Sequence, residues 1–322
     1  MRKGIGWLVG FFLCTATNSV CALTLSNKLS NTAARYDKPD HSRRERPIQV
    51  NIGVVDRRDN LSAFSDVIHE QEAANIARVL GRIVCRSPGL TMEAVGFVVE
   101  DARQIETNVH LFTDENRNIL DPLPACTFTT KANPKRKYKL LLNEGNYTFG
   151  TTRPNSDRAN DFAFVRLDKA VRNAIPLQFG HPPIPGETIY MISTNNDWSR
   201  KSLNLNQPVG RVCKNIHTYA GSDTTNSSFL NDCDNVAGDS GSLYFASRGG
   251  TLEAVGLHQS GGREAANGMP FNITTKDKSK ASYGMGLGFD AKMLGMGAAL
   301  AKSARERSTG RHGHNGTTRR SR

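Results

Sequence analysis

A serine flanked by small turn-forming residues is the first candidate for chemistry in this chain. Residues 235–242 read Asn-Val-Ala-Gly-Asp-Ser-Gly-Ser, and a short apolar run follows at 243–246. A serine hydroxyl is a poor nucleophile, so it needs a base beside it and donors that face the developing oxyanion. Gly238, which lacks a Cβ, lets the backbone before Ser240 turn its N–H groups inward. The N–H groups of Gly238 and Ser240 are therefore candidate oxyanion donors, although Gly-Asp-Ser-Gly also fits an ordinary turn.

Two other segments offer a base and an acid. His110 ends the string Thr-Asn-Val-His, which follows a strand–turn–strand pattern at 96–105. Asp161 stands at the head of an apolar strand, in Asn-Asp-Phe-Ala-Phe-Val-Arg-Leu at 160–167. A histidine can accept the serine proton, and an aspartate can orient that histidine. Taken singly, His110 also fits a surface or core histidine and Asp161 a turn residue.

The elements that must position these residues have a β-rich pattern. From Ile48 onward, short apolar runs alternate with Gly, Pro, Asn and Asp, a spacing typical of an all-β sandwich or barrel. These runs lie at 49–55, 94–99, 138–142, 162–167, 188–192, 241–245 and 252–257. A helical pattern covers Ser62 to Leu80, and a second lies near Asp290 to Lys302. No repeat of fixed period is present.

The first 47 residues predict export. Residues 1–22 have a basic start, an apolar stretch at 7–13, and Val20 and Ala22 at the −3 and −1 positions of a cleavage site, which together indicate a signal peptide. The apolar stretch is shorter than the roughly 20 residues that span a bilayer, and no later segment is apolar enough to do so. The polar segment 23–47 is a propeptide or a flexible arm. We expect a secreted or periplasmic bacterial protein.

Cysteine usage agrees with an oxidising compartment. Two of the six cysteines lie in the predicted signal peptide, and the other four are Cys85, Cys126, Cys213 and Cys233. Four cysteines allow three pairings, and the residues alone do not choose among them. The spacing is not that of a metal finger, so two disulfide bonds are expected.

The net charge of +12 is concentrated at one end of the chain. Residues 301–322 carry seven Lys or Arg side chains against one acid, Glu306, which is about half of the excess. Their composition predicts a disordered basic tail. Such a tail is either a solvated appendage or a contact for a polyanion. The charge is therefore no argument for a nucleic-acid-binding fold.

Together, the three motifs resemble those of chymotrypsin/trypsin-like serine peptidases. Thr107–His110 resembles that family's Thr-Ala-Ala-His element, and 160–167 is similar to its Asn-Asp-Ile-Ala-Leu-Leu-Arg-Leu element. The nucleophile loop of the family resembles 238–242. The motifs occur in the family's order, 51 and 79 residues apart. Over roughly 51–294 the chain looks closest to bacterial secreted glutamyl-endopeptidase-like members, judging from 52–58, 232–234 and 256–262.

This resemblance implies a fold and a mechanism. The fold would be all-β, with two six-stranded antiparallel barrels packed face to face across residues 48–300, a seam near 168–185, a short N-terminal helix and the disordered tail. Ser240 would be the nucleophile, His110 the general base, and Asp161 the residue that holds the imidazole. Gly238 and Ser240 would form the oxyanion hole. No cofactor or metal is needed, and the substrate would be a protein or peptide.

The resemblance also suggests disulfide pairs, and the chain departs from the family in places. Hypothetical bridges are Cys85–Cys126, around His110, and Cys213–Cys233, ahead of Ser240. Leu111 follows His110 where animal trypsins carry a cysteine, and Ser242 replaces their glycine. An Ile-Val-Gly-Gly activation site is missing from the sequence, which argues against trypsin-style activation. Asp239 would then pair with a buried cation or with a new amino terminus.

Substrate preference stays open at this stage. Asp234 lies six residues before Ser240, where trypsins carry the carboxylate that attracts Lys or Arg. His258 lies 18 residues after Ser240 and resembles the histidine that helps glutamyl endopeptidases bind an acidic side chain. Alternatively, Asp234 caps a turn and His258 is a packed strand residue.

Three functions are therefore compared. The first is a secreted serine endopeptidase that works through an acyl-enzyme. The second is a catalytically silent double barrel for binding or adhesion, which the intact set of His110, Asp161 and Ser240 argues against. The third is polyanion binding through residues 301–322. The oligomeric state does not follow from the sequence.

Overall fold

Strands are the most frequent regular elements in the part of the chain that the structure describes. The computed structural model describes residues 59–114, 116, 118–151, 160–194, 207–220, 227–233, 235, 238–265 and 282–310. The predicted signal peptide and the segment 23–47 lie outside the described residues. A two-residue strand, β1 (Asp59–Asn60), and a 3-10 turn (Leu61–Phe64) come first, followed by helix α1 (Glu70–Val79).

The single helix expected over Ser62 to Leu80 is divided into that turn and α1. The helix begins late because His69 and Glu72 form a reciprocal capping box. In it, the N–H of His69 donates to Oε2 of Glu72 at 2.9 Å. Ile76 and Val79, on one side of α1, are buried and fix the helix against the sheet that follows.

The first sheet contains seven antiparallel strands in the spatial order β6-β5-β2-β3-β4-β8-β7. Their bounds are β2 (Leu80–Ser87), β3 (Leu90–Val98), β4 (Gln104–Thr107), β5 (Ala125–Thr130), β6 (Tyr138–Lys139), β7 (Tyr147–Phe149) and β8 (Ala163–Arg166). Just beyond β6, a bridge joins Leu140 to Leu167, so the sheet curls toward β8 as a half-barrel. A core of its own lies inside this curl.

The second sheet closes on itself. Its strands are β1, β9 (Thr188–Ser193), β10 (Val209–Ala220), β11 (Ser227–Asn231), β12 (Leu243–Arg248), β13 (Thr251–Ala265) and β14 (Ser282–Gly288). The order is β1-β10-β11-β14-β13-β12-β9, and β9 also pairs with β10. This extra pairing makes a six-stranded barrel, to which β1 is added as a seventh strand.

The predicted all-β double-barrel fold is confirmed, with two differences in detail. Within the described residues each sheet has seven strands in place of six, and the first is a curled half-barrel. The chain passes from one sheet to the other between Arg166 and Thr188. A second apolar cluster is shared by side chains of both sheets, of α1 and of the C-terminal helix.

Both disulfide bonds join the cysteines that were paired on the resemblance. Cys85 and Cys126 face each other directly on β2 and β5. Cys213, on β10, is bonded to Cys233, which lies just after β11. Each bond therefore ties a central strand to the segment beside it.

The prediction that residues 301–322 are disordered is wrong for residues 301–310, which belong to a C-terminal helix. Helix α2 runs from Ala291 to Gly310, so the first ten residues of that segment are helical. Leu300 and Ala301 are buried, and the Arg307 guanidinium donates to the carbonyl of Gly145. Composition alone predicted disorder wrongly, because Ala, Lys, Arg and Glu form a helix readily when one face of that helix packs against the protein. Residues 311–322 lie outside the described residues, and no described helix is long and apolar enough to cross a membrane.

We predict that packing of Leu300 anchors α2. Leu300→Ala should lower the free energy of unfolding by about 2 kcal/mol, because a buried methyl-rich side chain is lost and a cavity remains. Lys302→Ala, at an exposed position of the same helix, should change it by no more than about 0.5 kcal/mol. Urea denaturation of the two variants measures both values. Equal effects would mean that α2 is not held by this contact.

Candidate active site

His110 lies in a one-turn 3-10 helix, Val109–Phe112, directly after β4. The two residues before this turn are held by hydrogen bonds of their side chains. The hydroxyl of Thr107 donates to the carbonyl of Val95 at 2.8 Å, and Nδ2 of Asn108 donates to the carbonyl of Asp161 at 2.9 Å. These bonds place the imidazole at the end of the first sheet that faces the second.

Asp161 holds His110 through two contacts. The N–H of His110 donates to Oδ1 of Asp161 at 3.0 Å, and Nδ1 of His110 lies 2.7 Å from Oδ2. Asp161 is only 5% exposed, whereas the histidine ring is about one-third exposed, at 31%. The carboxylate therefore accepts the Nδ1 proton and leaves Nε2 of His110 available as a base.

Ser240 comes from the second sheet and meets this base. Its Oγ lies 2.9 Å from Nε2 of His110. Asp161, His110 and Ser240, which are far apart in sequence, thus form one continuous chain of hydrogen bonds. The three sequence-predicted residues are brought together at distances that allow proton transfer.

The loop around Ser240 is fixed by strands of both sheets. The N–H of Val95, on β3, donates to the carbonyl of Ser240 at 2.7 Å. On the other side, the N–H of Gly241 donates to the carbonyl of His258, on β13, at 2.8 Å. Gly238 and Gly241 have φ of +89° and +82°, a region that favours glycine. A Cβ on Gly241 would also overlap the carbonyl oxygen of Val95.

The carboxylate of Asp239, next to the nucleophile, has a buried cationic partner. Nη2 of Arg211 donates to its Oδ2 at 2.7 Å, and Oγ of Ser193 donates to its Oδ1 at 2.6 Å. Both Arg211 and Asp239 are 0% exposed. Arg211 was not singled out in the sequence. Its position could have indicated its burial, because it is the one arginine within the apolar run 209–213 of a predicted barrel.

His258 is buried beside the nucleophile loop. Its N–H donates to the carbonyl of Ser242 at 2.7 Å. The hydroxyl of Tyr244 lies 2.7 Å from Nδ1 of His258 and accepts a bond from Nδ2 of Asn231 at 3.0 Å. With Asn231 as donor, the tyrosine proton points to Nδ1, which leaves the hydrogen of a neutral ring on Nε2. Desolvation, then the charges of Arg211 and His110, lower the pKa of His258 to about 3.

The other predicted specificity residue, Asp234, lies outside the described residues. Tyr244 and Asn231 were missed in the sequence, where they resemble ordinary strand positions. Within the described ranges, no group of three or more His, Cys, Asp or Glu side chains is arranged to hold a metal ion.

Glu106 is a second titratable group close to the site and has no place in the hydrogen-bond chain. It lies on β4 between Phe97 and Phe164 of the neighbouring strands and is 0% exposed. Among the described residues, neither carboxylate oxygen has a hydrogen-bond partner. Burial, and then the nearby charges of Glu100 and Asp290, raise the pKa of Glu106 well above its ordinary value.

Residues 94–257 match a family model described as a trypsin-like peptidase domain. Among solved structures, a Glu endopeptidase in complex with MPD has a TM-score of 0.50 and 15% identity, over 80% of this chain and 100% of that chain. At this identity the likeness shows the fold alone.

Two further solved structures are similar at lower scores. A thermostable serine protease, AL20, from an extremophilic microorganism has a TM-score of 0.48 and 13% identity, over 71% of this chain and 99% of its own. Protease Anisep from Arthrobacter nicotinovorans has a TM-score of 0.46 and 13% identity, over 69% of this chain and 96% of its own. No curated protein sequence matches the chain.

We predict that Glu106 makes the protein less stable as the pH rises. Its pKa is raised in the folded state, so the folded protein binds more protons than the unfolded one above the ordinary carboxyl pKa. The free energy of unfolding therefore falls as the pH climbs from about 4.5 toward the raised value. Glu106→Gln should remove this dependence and raise the midpoint of urea unfolding at pH 7.

The matched control is Glu144→Gln, at an exposed position. Urea unfolding of both variants and the parent at pH 4.5 and pH 7 shows whether the pH dependence comes from Glu106 or from an exposed carboxyl group. A Glu106→Gln protein whose midpoint falls with pH as steeply as the parent's would refute the assignment.

Proposed function

Because the chain belongs to the trypsin-like peptidase family and is a serine-type endopeptidase, we propose that it cuts peptide bonds with His110, Asp161 and Ser240 as its catalytic triad. The observation that carries the proposal is the unbroken chain of hydrogen bonds from Asp161 through His110 to Ser240, with links of 2.7 and 2.9 Å. The family supplies the reaction class, and these distances supply the candidate residues.

The proposed reaction has two halves. Nε2 of His110 accepts the proton of Ser240 as Oγ attacks the scissile carbonyl carbon, and the resulting imidazolium is stabilised by Asp161. His110 then gives this proton to the leaving amine, and the acyl group stays on Ser240. Water, deprotonated by His110, attacks the acyl-enzyme and releases the new carboxyl end of the substrate.

The N–H groups of Gly238 and Ser240 are proposed as the oxyanion hole. The positive φ of Gly238 supports this role. A residue in the left-handed region turns the backbone that leads to Ser240, and with it the direction of the N–H groups. Removing one such donor from a comparable site costs on the order of 100-fold in kcat. The bonds from Val95 and to His258 keep the loop in place before substrate arrives.

We also propose that the protein works outside the cytoplasm. The two disulfide bonds support this location, because such bonds persist in oxidising compartments. The signal-like residues 1–22 support it independently. The substrate is then an extracellular or periplasmic protein or peptide.

For side-chain preference we propose an acidic residue before the scissile bond, with His258 as the binding group. His258 is bonded through its backbone to the two residues that follow Ser240, Gly241 and Ser242. Its neutral ring, held by Tyr244, carries a donor at Nε2. A carboxylate would gain a charge-assisted hydrogen bond there, whereas a lysine would not.

Ser240→Ala should lower kcat for a peptide substrate by at least about 10⁴-fold, because the acyl-enzyme can no longer form. Labelling with a fluorophosphonate probe should disappear in the same variant. Ser247→Ala, at an exposed serine of β12, is the matched control and should keep both activity and labelling. Labelling that persists in the Ser240→Ala protein would contradict the proposed nucleophile.

The preference is tested with two fluorogenic peptides that differ only in Glu or Lys before the scissile bond. The Glu peptide should have a kcat/KM at least roughly tenfold higher, the value of one charge-assisted hydrogen bond. His258→Ala should reduce this ratio. A higher kcat/KM for the Lys peptide would instead favour Asp234 as the specificity residue.

A further inference from the structure

Two segments at one end of the first sheet carry a cluster of positive charge that the proposed reaction does not use. Residues 131–139 hold five Lys or Arg side chains and residues 166–172 hold three, against one acid, Asp168. Of these cations, Arg166 is buried in an ion pair with Asp101. Six of the others reach the surface, and we call them the basic patch: Lys135, Arg136, Lys137, Lys139, Lys169 and Arg172.

Hydrogen bonds hold the two segments side by side. The N–H of Lys139 donates to Oδ1 of Asp168 at 2.8 Å, and the N–H of Asp168 donates to the carbonyl of Lys139 at 2.9 Å. The bridge between Leu140 and Leu167 extends the same contact by one residue. Cations from two separate parts of the sequence therefore share one surface.

The ring of Tyr138 fixes the centre of the basic patch. Tyr138 is 0% exposed, yet Cζ of Arg136 lies 5.5 Å and Nζ of Lys169 lies 5.6 Å from its ring centroid. The N–H of Arg172 donates to the hydroxyl of Tyr138 at 3.4 Å. Cation–π attraction thus brings together two positive groups that repel each other. An anion that contacts both groups would relieve this repulsion.

The basic patch covers two sides of the sheet edge. Lys137 and Lys139 flank the inward-facing Tyr138 and are exposed, so their side chains point outward, roughly 7 Å apart along the strand. Arg136 and Lys169 lie on the other side, over the tyrosine ring. A flat bilayer could not contact both sets at once, whereas a flexible chain can bend from one side to the other.

The uncharged side chains of the two segments narrow the class of ligand. Tyr138, Leu167 and Val171, the large apolar or aromatic residues within 131–139 and 166–172, are all buried. A protein partner needs exposed apolar or aromatic groups at the centre of its interface, and a single-stranded nucleic acid needs aromatic surfaces on which its bases stack. Within these two segments the structure exposes neither, so the ligand is one that is recognised by charge alone.

We propose that the basic patch binds a linear polyphosphate chain. Such a chain is flexible and negatively charged at every unit, and lysine is a suitable point charge for phosphate. Binding releases the counterions that a polyanion condenses, and this release supplies the affinity. The patch lies at the end of β8 opposite to Asp161, about 20 Å away along an extended strand. The proposal is therefore independent of the catalytic role of Ser240.

The test is binding of fluorescently labelled, long-chain inorganic polyphosphate to the purified protein over a range of salt concentrations. Lys137→Glu/Lys139→Glu should raise the Kd at least about tenfold and lower the slope of log Kd against log salt by about 1.4, because two phosphate contacts are lost. If this variant does not fold, Lys137→Gln/Lys139→Gln removes the charges without reversing them and should raise the Kd at least about threefold.

The matched control is Arg319→Glu/Arg320→Glu, which makes the same change of charge near the end of the chain. This variant should bind polyphosphate within about twofold of the parent. An equal loss in both variants would overturn the proposal, because binding would then follow net charge alone. Poly-glutamate or oligo-dT that competes as strongly as polyphosphate at equal charge would also overturn it, and would assign the patch to an acidic protein or to a single-stranded nucleic acid.

Discussion

The bond between Nε2 of His110 and Oγ of Ser240 crosses from one sheet to the other, so it depends on how the two sheets pack. His110 and Asp161 belong to the first sheet and Ser240 to the second, yet the two atoms lie 2.9 Å apart. A shared apolar cluster sets this distance. Its members include Val95, Phe97, Phe162 and Phe164 from the first sheet and Ile192, Leu243, Phe245 and Leu257 from the second. Close-packed side chains deform little, which is why a proton-transfer distance can be held between separate sheets.

Two groups of buried polar side chains in the second barrel are joined by hydrogen bonds or an ion pair, in contrast to Glu106 in the first sheet. Arg211 and Asp239 neutralise each other, and Tyr244 joins Asn231 to His258. Burial of His258 as a neutral ring makes the folded protein less stable in acid. Because the pKa of His258 is lowered to about 3 in the folded state, the unfolded chain binds more protons below the ordinary histidine pKa, and stability falls as the pH drops below about 6.5. The effect of Glu106 has the opposite sign, so the two groups favour an intermediate pH.

Pattern and composition predicted the architecture well where contacts are local and less well where they are not. Apolar runs indicated six of the described strands, β3, β6, β8, β9, β12 and β13, and three short motifs indicated the family. The same reasoning took residues 301–310 for a disordered tail, because their composition is polar and basic, while packing of Leu300 and Ala301 makes them helical. Other strands had no predicted run: β1 and β7 are too short to show a period, and long strands such as β10 include buried polar residues that interrupt the apolar pattern.

The sequence by itself determined the order of the candidate nucleophile, base and acid, the glycines that the nucleophile loop needs, and the need of Asp239 for a cation. Those features are local, because they follow from residue type and from neighbours within a few positions. Only the tertiary structure decided that Arg211 is that cation, that Tyr244 and Asn231 hold His258, and that Glu106 is buried without a hydrogen-bond partner among the described residues. These facts depend on which side chains face the same interior after barrel closure, and pairs of residues 13, 14 or 28 positions apart carry no mark of such a contact in the sequence.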